Sequence, residues 1–241
     1  MPSPTRYLAL GRKAARTAVH PGWWRALRLG VAPSLELRGV AFHHDHRTVI
    51  DVGAGRGQFA LFARRRFPDA EVYSLEPGTS SAGLFERVHG ADARVHLRRC
   101  AAGAEATSAL LHLTSDADSS SLLPLAEQAS RFGTPEVATE SVEVAPLDAL
   151  LPSTWERPAL LKIDVQGAEL DVLRGAERTV AGVDEVLVEV SYVPLYREQA
   201  RADEVVEWLA QRGFDVAGEY PSHREHRRVI QSDLHFVRRD G

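Results

Sequence analysis

Four carboxylates stand where short apolar runs of this sequence end: Asp51, Glu76, Asp164 and Glu189. An acid set in an apolar run is costly to bury without a partner, so four at matching positions mark one edge where polar chemistry is done. The first is followed by Gly53-Ala-Gly55-Arg-Gly57. Glycines let the chain turn tightly and let a ligand approach the backbone, and free amides at the start of the next helix favour an anionic group. Glu76 comes 25 residues after Asp51, where a carboxylate accepts hydrogen bonds from both hydroxyls of a ribose. The combination predicts a nucleoside-containing ligand. A nicotinamide or flavin enzyme needs the spacing Gly-x-Gly-x-x-Gly, which would put its third glycine at Gln58. Here that glycine is Gly57, one place early. The spacing therefore favours an S-adenosylmethionine-dependent methyltransferase over an oxidoreductase, with a glycine turn that binds nothing as the third reading.

The elements that must position these residues are legible from periodicity. Runs 48–52, 70–75, 159–163 and 185–190 are short, apolar and rich in branched residues, as strands of a parallel sheet covered on both faces should be; 95–100 is a weaker fifth. Helical spacing occupies 58–67, 80–89, 168–180 and 202–212, with Gly213 placed to stop the last. Such alternation predicts an α/β, doubly wound, Rossmann-like sheet. Beyond Gly213, segments 214–217 and 234–237 flank a polar, histidine-rich stretch and read as a terminal hairpin at a sheet edge. Region 103–147 exceeds what a crossover requires; it contains a serine-rich turn, a short helical stretch to Phe132 and the alternating 139–144. Long excursions at a sheet edge are often lids or binding loops. The expected organisation is a helical cap or lid over 1–45, then one catalytic domain over 46–241 with a lid-like insertion at about 103–147.

Bulk properties narrow the classes. With 241 residues, 44% of them hydrophobic, the chain supports one sizeable core. A formal charge of −4 and a pI near 6.2 argue against nucleic acid as a partner. The one cysteine, Cys100, reads as a small buried thiol and fits a reducing, cytoplasmic location. No export signal or membrane-spanning stretch is expected. The basic first thirty residues, with Trp23 and Trp24, read as a peripheral helix covering the sheet, or else a membrane-surface or substrate-facing helix.

Several blocks resemble the FkbM family of S-adenosylmethionine-dependent methyltransferases: Val49-Ile-Asp-Val-Gly-Ala-Gly-Arg-Gly-Gln-Phe59, Ser74-Leu-Glu-Pro77, Asp118-Ser-Ser-Ser-Leu-Leu-Pro124, Leu147-Asp148, and Leu160-Leu-Lys-Ile-Asp-Val-Gln-Gly-Ala-Glu-Leu170 followed by Leu173-Arg-Gly-Ala176. The block from Lys162 to Glu169 is the distinctive one. The resemblance implies seven strands with the last antiparallel, and methyl transfer commonly to an oxygen, often a hydroxyl of a sugar or natural product. Two positions depart from it: Arg56 stands where many members have asparagine, and Gln166 where many have glutamate.

These readings assign cofactor contacts to Asp51, Gly53, Ala54, Gly55, Gly57, Gln58, Phe59, Glu76, Pro77, Ala101 and Asp164. Methylating an alcohol calls for alignment and for a group that takes its proton, a carboxylate or imidazole, or a metal that lowers its pKa. Asp164, Glu189 and His226 are the catalytic candidates; Asp164 serves equally as an anchor for the ligand's amino group. Glu169 reads as a helix cap or loop fixer as readily as a catalytic group. Taken singly, His223, His226 and His235 read as solvated histidines, and His43-His44-Asp45-His46 lacks a second segment to complete a zinc site. A magnesium ion on Asp164 and Glu189 is the alternative to a purely organic site. Ser120, Ser121, Gln166 and Tyr192 are assigned to the acceptor, a small molecule or glycan. A homodimer, and a methyltransferase-like module that binds without catalysing, are carried as alternatives.

Overall fold

All five residues of Thr48–Val52 are buried, and so are all five of Ala159–Ile163. Strands covered on both faces belong at the centre of a sheet. In the computed structural model, which describes residues 23–126, 135–225 and 227–239, these are β1 (Thr48–Val52) and β7 (Ala159–Ile163). They lie side by side in a seven-stranded sheet completed by β2 (Glu71–Leu75), β3 (Val95–Arg98), β8 (Glu185–Ser191), β9 (Phe214–Glu225) and β10 (Arg228–Arg238). The order is β3-β2-β1-β7-β8-β10-β9. Strand β10 runs antiparallel to both neighbours, and the pairs from β3 to β8 are parallel. The expected doubly wound sheet with an antiparallel last strand is the one found.

The two-residue period of the central strands divides the core. Val49, Leu160 and Leu187 pack with Phe59 and Phe62 of α2 (Gln58–Arg66) and Phe85 of α3 (Thr79–His89). Their neighbours Ile50, Leu161 and Val186 face the other way. They meet Leu147 of α4 (Leu147–Leu150), Leu173 of α5 (Glu169–Arg174), Val180 of α6 (Glu177–Gly182) and Leu209 of α7 (Ala202–Gln211). Helix α1 (Trp24–Arg28) follows Trp23, which is buried with Leu61 on the outside of α2, whereas Trp24 is exposed. Among the described residues no helix is long and apolar enough to cross a membrane.

Three local expectations change. The single helix over 168–180 is two, α5 and α6, divided at Gly175, where an added Cβ would lie 2.0 Å from the Gly103 carbonyl oxygen. The hairpin strands are 12 and 11 residues long, so the polar, histidine-rich stretch is largely inside them. Edge strand β9 is exposed along most of its length, which relieves it of the apolar pattern by which strands are recognised. Region 103–147 is also strand-rich: β5 (Thr107–Thr114) pairs antiparallel with β6 (Glu136–Ala145), and β6 pairs with β4 (Ala101–Ala102) as a second, three-stranded sheet. The helical stretch to Phe132 falls at 127–134, outside the described residues, as do residues 1–22 of the cap and His226.

At the foot of β8, away from the strand end that carries Glu189, Glu185 is fully buried. One oxygen lies 2.8 Å from His44 Nδ1 and 3.2 Å from His46 Nε2; the other lies 2.5 Å from His235 Nε2. The amides of His43 and His44 donate to it as well. His235 is therefore buried rather than solvated, and residues 43–46 tether the start of the domain to the sheet. Burial would raise the Glu185 pKa, but His235, His46 and His44 outweigh it and hold the carboxyl far below the usual range. Its stabilisation is thus present above the unfolded-state value, about 4.3, and is lost as the solution is acidified below it. Glu185→Ala is expected to lower stability by about 3–5 kcal/mol, read by urea unfolding at pH 6. The gap to the parent protein should persist at pH 5 and narrow below about pH 4.

Candidate active site

Strand register decides which side chains share a row. Ser74, Asp51, Lys162, Leu187 and His235 are successive partners across the sheet. Two positions further along, the row continues through Glu76, Gly53, Asp164, Glu189 and Asp233 to Tyr220. Residues two apart share a face, so both rows point to the side covered by α2.

The glycine loop forms the floor. Gly53, Gly55 and Gly57 have φ of 79°, 54° and 90°, in the left-handed region. At Gly53 an added Cβ would sit 1.8 Å from the Asp164 carbonyl oxygen, so the loop and the chain leaving β7 meet backbone to backbone, which only glycine permits. Glu76 holds the loop from the other side, accepting the Gly55 amide at 2.9 Å on one oxygen and the Gly78 amide at 2.8 Å on the other. Burial pushes its pKa up to about 7 against the pull of those amides. Each carboxylate oxygen has two lone pairs, so Glu76 keeps acceptor capacity toward the cavity it lines.

Lys162 lies beneath, its Nζ 3.3 Å from Asp164 and 3.5 Å from Asp51. Burial opposes its charge, but Asp164 and Asp51 outweigh that and keep the ammonium protonated. Beside it, Gln166 has a φ of 57°, uncommon for a residue with a side chain and typical of functional turns. Its Nε2 donates to Asp164 at 2.7 Å and to Glu189 at 2.8 Å. The Tyr196 hydroxyl lies between Gln166 Oε1 at 3.0 Å and the Ser119 carbonyl at 2.9 Å. Glu169 accepts the Gly167 amide at 2.8 Å and fixes this turn, and burial raises its pKa to about 7.

The serine-rich turn closes over the glycine loop. Arg56 Nη2 donates to both oxygens of Asp118, at 2.7 and 3.0 Å, and Gln58 Nε2 to one of them at 2.9 Å. Ser121 donates to the Gln166 carbonyl at 2.6 Å. Between floor and roof lies a cavity of about 240 Å³.

Of the residues assigned from the sequence, Gly53, Ala54, Gly55, Gln58, Phe59, Glu76, Pro77, Ala101, Asp164, Ser120, Ser121 and Gln166 line that cavity. Four assigned side chains lie off its wall. Asp51 is fully buried one position short of the strand end, where it serves Lys162 and Ser74. Gly57 starts α2 and packs against His89. Glu189 sits behind Gln166, its oxygens taken by Gln166, Gln231 and Ser222; burial and then Asp164 and Asp233 push its pKa well up. Tyr192 is 42% exposed and gives its hydroxyl to Glu219 on the outer hairpin. Cys100, expected to be buried, is half-buried on the cavity wall. The magnesium reading loses its basis, since the amide hydrogens of Gln166 occupy the space that a cation bridging Asp164 and Glu189 requires. Among the described residues no group of three or more His, Cys, Asp or Glu side chains is arranged to hold a metal ion.

Sequence reasoning missed Lys162 as the shared counter-charge and Tyr196 as the roof's anchor. Lys162 was findable: a lysine inside an otherwise apolar central strand demands buried acids nearby. Tyr196 gave no signal, because its contacts depend on a turn 77 residues earlier.

Residues 51–216 match the family described as the methyltransferase FkbM domain. The chain is 30% identical over 195 residues to methyltransferase sdnD of Sordaria araneosa, covering 70% of this chain and 73% of that protein. It is 28% identical over 199 residues to methyltransferase 1 of Beauveria bassiana (strain ARSEF 2860), covering 76% and 78%. Among solved structures, a methyltransferase FkbM from Methylobacillus flagellatus KT shares the fold with a TM-score of 0.58 at 15% identity, over 86% of this chain and 48% of that one. The present chain thus spans about half of that protein's length. With the glycine loop, the turn from Lys162 to Glu169 and the sheet order in agreement, the chain belongs to the FkbM family of methyltransferases.

Proposed function

We propose that the protein transfers the methyl group of S-adenosylmethionine to a hydroxyl oxygen of a sugar or another natural product. The observation that carries the cofactor reading is the Gly53 cradle, where a single Cβ would fill the space against Asp164, closed on its far side by Glu76. The residues present fit the ligand: Glu76 has lone pairs free for ribose hydroxyls, Pro77, Ala101 and Leu111 supply an apolar wall, and Asp164 presents a carboxylate to an ammonium group. When bound, the sulfonium supplies an already activated methyl group. The protein must therefore hold the acceptor in line and exclude water, which is worth about 7–11 kcal/mol in favourable systems. The Arg56–Asp118 clamp and the Ser121–Gln166 bond, which bring the roof down on the floor, suit that task. In this reading the insertion at about 103–147 acts as the lid, residues 1–45 as a cap, and Ser120, Ser121 and Gln166 face the acceptor.

An oxidoreductase reading finds less support. Gln58 occupies the place of a third glycine, and its side chain is engaged with the Arg56 amide and with Asp118.

Calorimetry with S-adenosylhomocysteine, 5′-methylthioadenosine and nicotinamide dinucleotides tests the cofactor assignment. The first two should bind and the dinucleotides should not; the reverse pattern would overturn the assignment. Glu76→Ala should weaken both adenosine ligands by about 10- to 100-fold, the loss of hydrogen bonds to a charged acceptor. Asp164→Asn should weaken S-adenosylhomocysteine about tenfold or more while leaving 5′-methylthioadenosine, which lacks the amino-acid group, nearly unchanged. Mass spectrometry of products from glycan and natural-product extracts should identify methyl ethers, and exclusively N- or C-methylated products would sink the hydroxyl assignment.

A further inference from the structure

Charge is unevenly spread along this chain. Residues 1–35 carry six basic side chains and no acidic one, whereas residues 36–241 carry 23 basic and 33 acidic. Two of the six, Arg25 and Arg28, stand on α1, and there the two adjacent tryptophans part. Trp23 is buried with Leu61, and Trp24 is 49% exposed. Positions three and four apart on a helix are neighbours, so Trp24 and Arg25 share a face with Arg28, away from the buried Ala26 that packs with Leu61.

Beside α1, a groove of about 500 Å³ runs between it, α2 and the end of α3. Its floor is apolar, formed by Trp23, Leu61 and Val88, and the exposed Arg25 and Arg65 stand at its rim. Asp92, the acid that lines it, is already held by Arg64 at 2.8 Å. The other cations are not committed in this way. Among the described residues Arg25, Arg28 and Arg65 form no ion pair and donate no hydrogen bond. A free guanidinium presents a fork of donors that matches phosphate oxygens. The groove shares no residue with the catalytic cavity, so it is a separate feature of the molecule.

We propose that this face docks the protein on an anionic lipid surface, with Arg25, Arg28 and Arg65 against lipid phosphates and Trp24 at headgroup depth. Tryptophan suits a boundary where one side is apolar and the other wet, and arginines beside it suit the charge. The acidic remainder of the chain does not cancel the attraction, because a basic residue acts on an anionic leaflet within a Debye length, about 8 Å at physiological salt. It orients the molecule instead, turning this face toward the bilayer. Arg6, Arg12, Lys13 and Arg16, which precede Trp23 in the chain, add charge of the same sign. A nucleic-acid duplex fits less well. It extends past the patch and meets the acidic remainder, whereas a bilayer touches one face alone.

Sedimentation of the full chain with vesicles tests this, and since no methyl transfer is involved the result is independent of the cofactor assignment. The protein should pellet with phosphatidylcholine vesicles containing about 30% phosphatidylserine, stay in solution with phosphatidylcholine alone, and be released as salt is raised toward about 0.5 M. The triple variant R25Q/R28Q/R65Q should partition about 100-fold more weakly, roughly fivefold for each arginine near the anionic surface. W24A should lose about tenfold through its apolar area. Both variants should keep the circular dichroism of the parent. Brominated lipid should quench the tryptophan fluorescence of the parent and leave that of W24A largely unquenched. Equal sedimentation with neutral vesicles, none with either kind, undiminished binding by the triple variant, or quenching that survives in W24A overturns the proposal. So does tighter binding to a duplex oligonucleotide than to the vesicles at the same salt, which would assign the face to nucleic acid.

Discussion

The ammonium of Lys162 is buried between Asp51 on one central strand and Asp164 at the end of the next, 3.5 and 3.3 Å away, with the ring of Phe59 at 5.5 Å. Removing one member of such a set strands the others as uncompensated buried charge, which is far costlier than the pair's own net contribution. Every other feature of the site is built outward from it. Asp51 lies under the glycine loop, where burial raises its pKa against the pull of Lys162, Asp164 keeps its carboxylate at the cavity wall, and the loop from Gly53 is pressed against the Asp164 backbone. Since β1 and β7 are the two strands buried on both faces, the charge set is locked by the core rather than by solvent-exposed loops.

From that centre the site divides. The half that faces the glycine loop is finished: Glu76 is tied to two amides, Asp118 to Arg56 and Gln58, Ser121 to the Gln166 carbonyl. Gln166 marks the boundary. One amide side chain bridges Asp164 and Glu189 while its carbonyl oxygen meets Tyr196. An acid there would place a third negative charge between two others, so the neutral amide lets neighbouring carboxylates stand close together. The FkbM resemblance marks glutamine as a departure; the geometry shows what it does here, donating two hydrogen bonds where a carboxylate would donate none.

The fold was legible because its central strands are short apolar runs and its helices carry clear spacing; both boundaries of β1 and β7 follow from the sequence. The cofactor side of the site was legible for a related reason. Residues that must be glycine, or an acid at a strand end, are constrained locally and leave a local signature. The remainder depends on pairings distant in the chain. Glu185 draws His43 to His46 across about 140 residues and His235 across 50, so three histidines that individually read as solvated or metal-binding are a buried structural tether. Tyr192 was assigned to the acceptor but gives its hydroxyl to Glu219 on the outer strand, because β9 extends further than its apolar residues announced.

The same reasoning applies to Asp233. Alternation alone places it on a face with His235 in the terminal hairpin. Only the insertion of β10 between β8 and β9 turns that hairpin inward and puts Asp233 beside Glu189. The antiparallel last strand is thus more than a topological signature. It carries His235 down to Glu185 at the foot of β8, where an acid is fully partnered and the fold gains stability. It carries Asp233 to the other end, opposite Glu189. Two carboxylates of one sheet face, four residues apart along β8 and its neighbour, are thereby given opposite environments: the histidines hold the Glu185 carboxyl far below its usual range, whereas burial and then Asp164 raise that of Asp233.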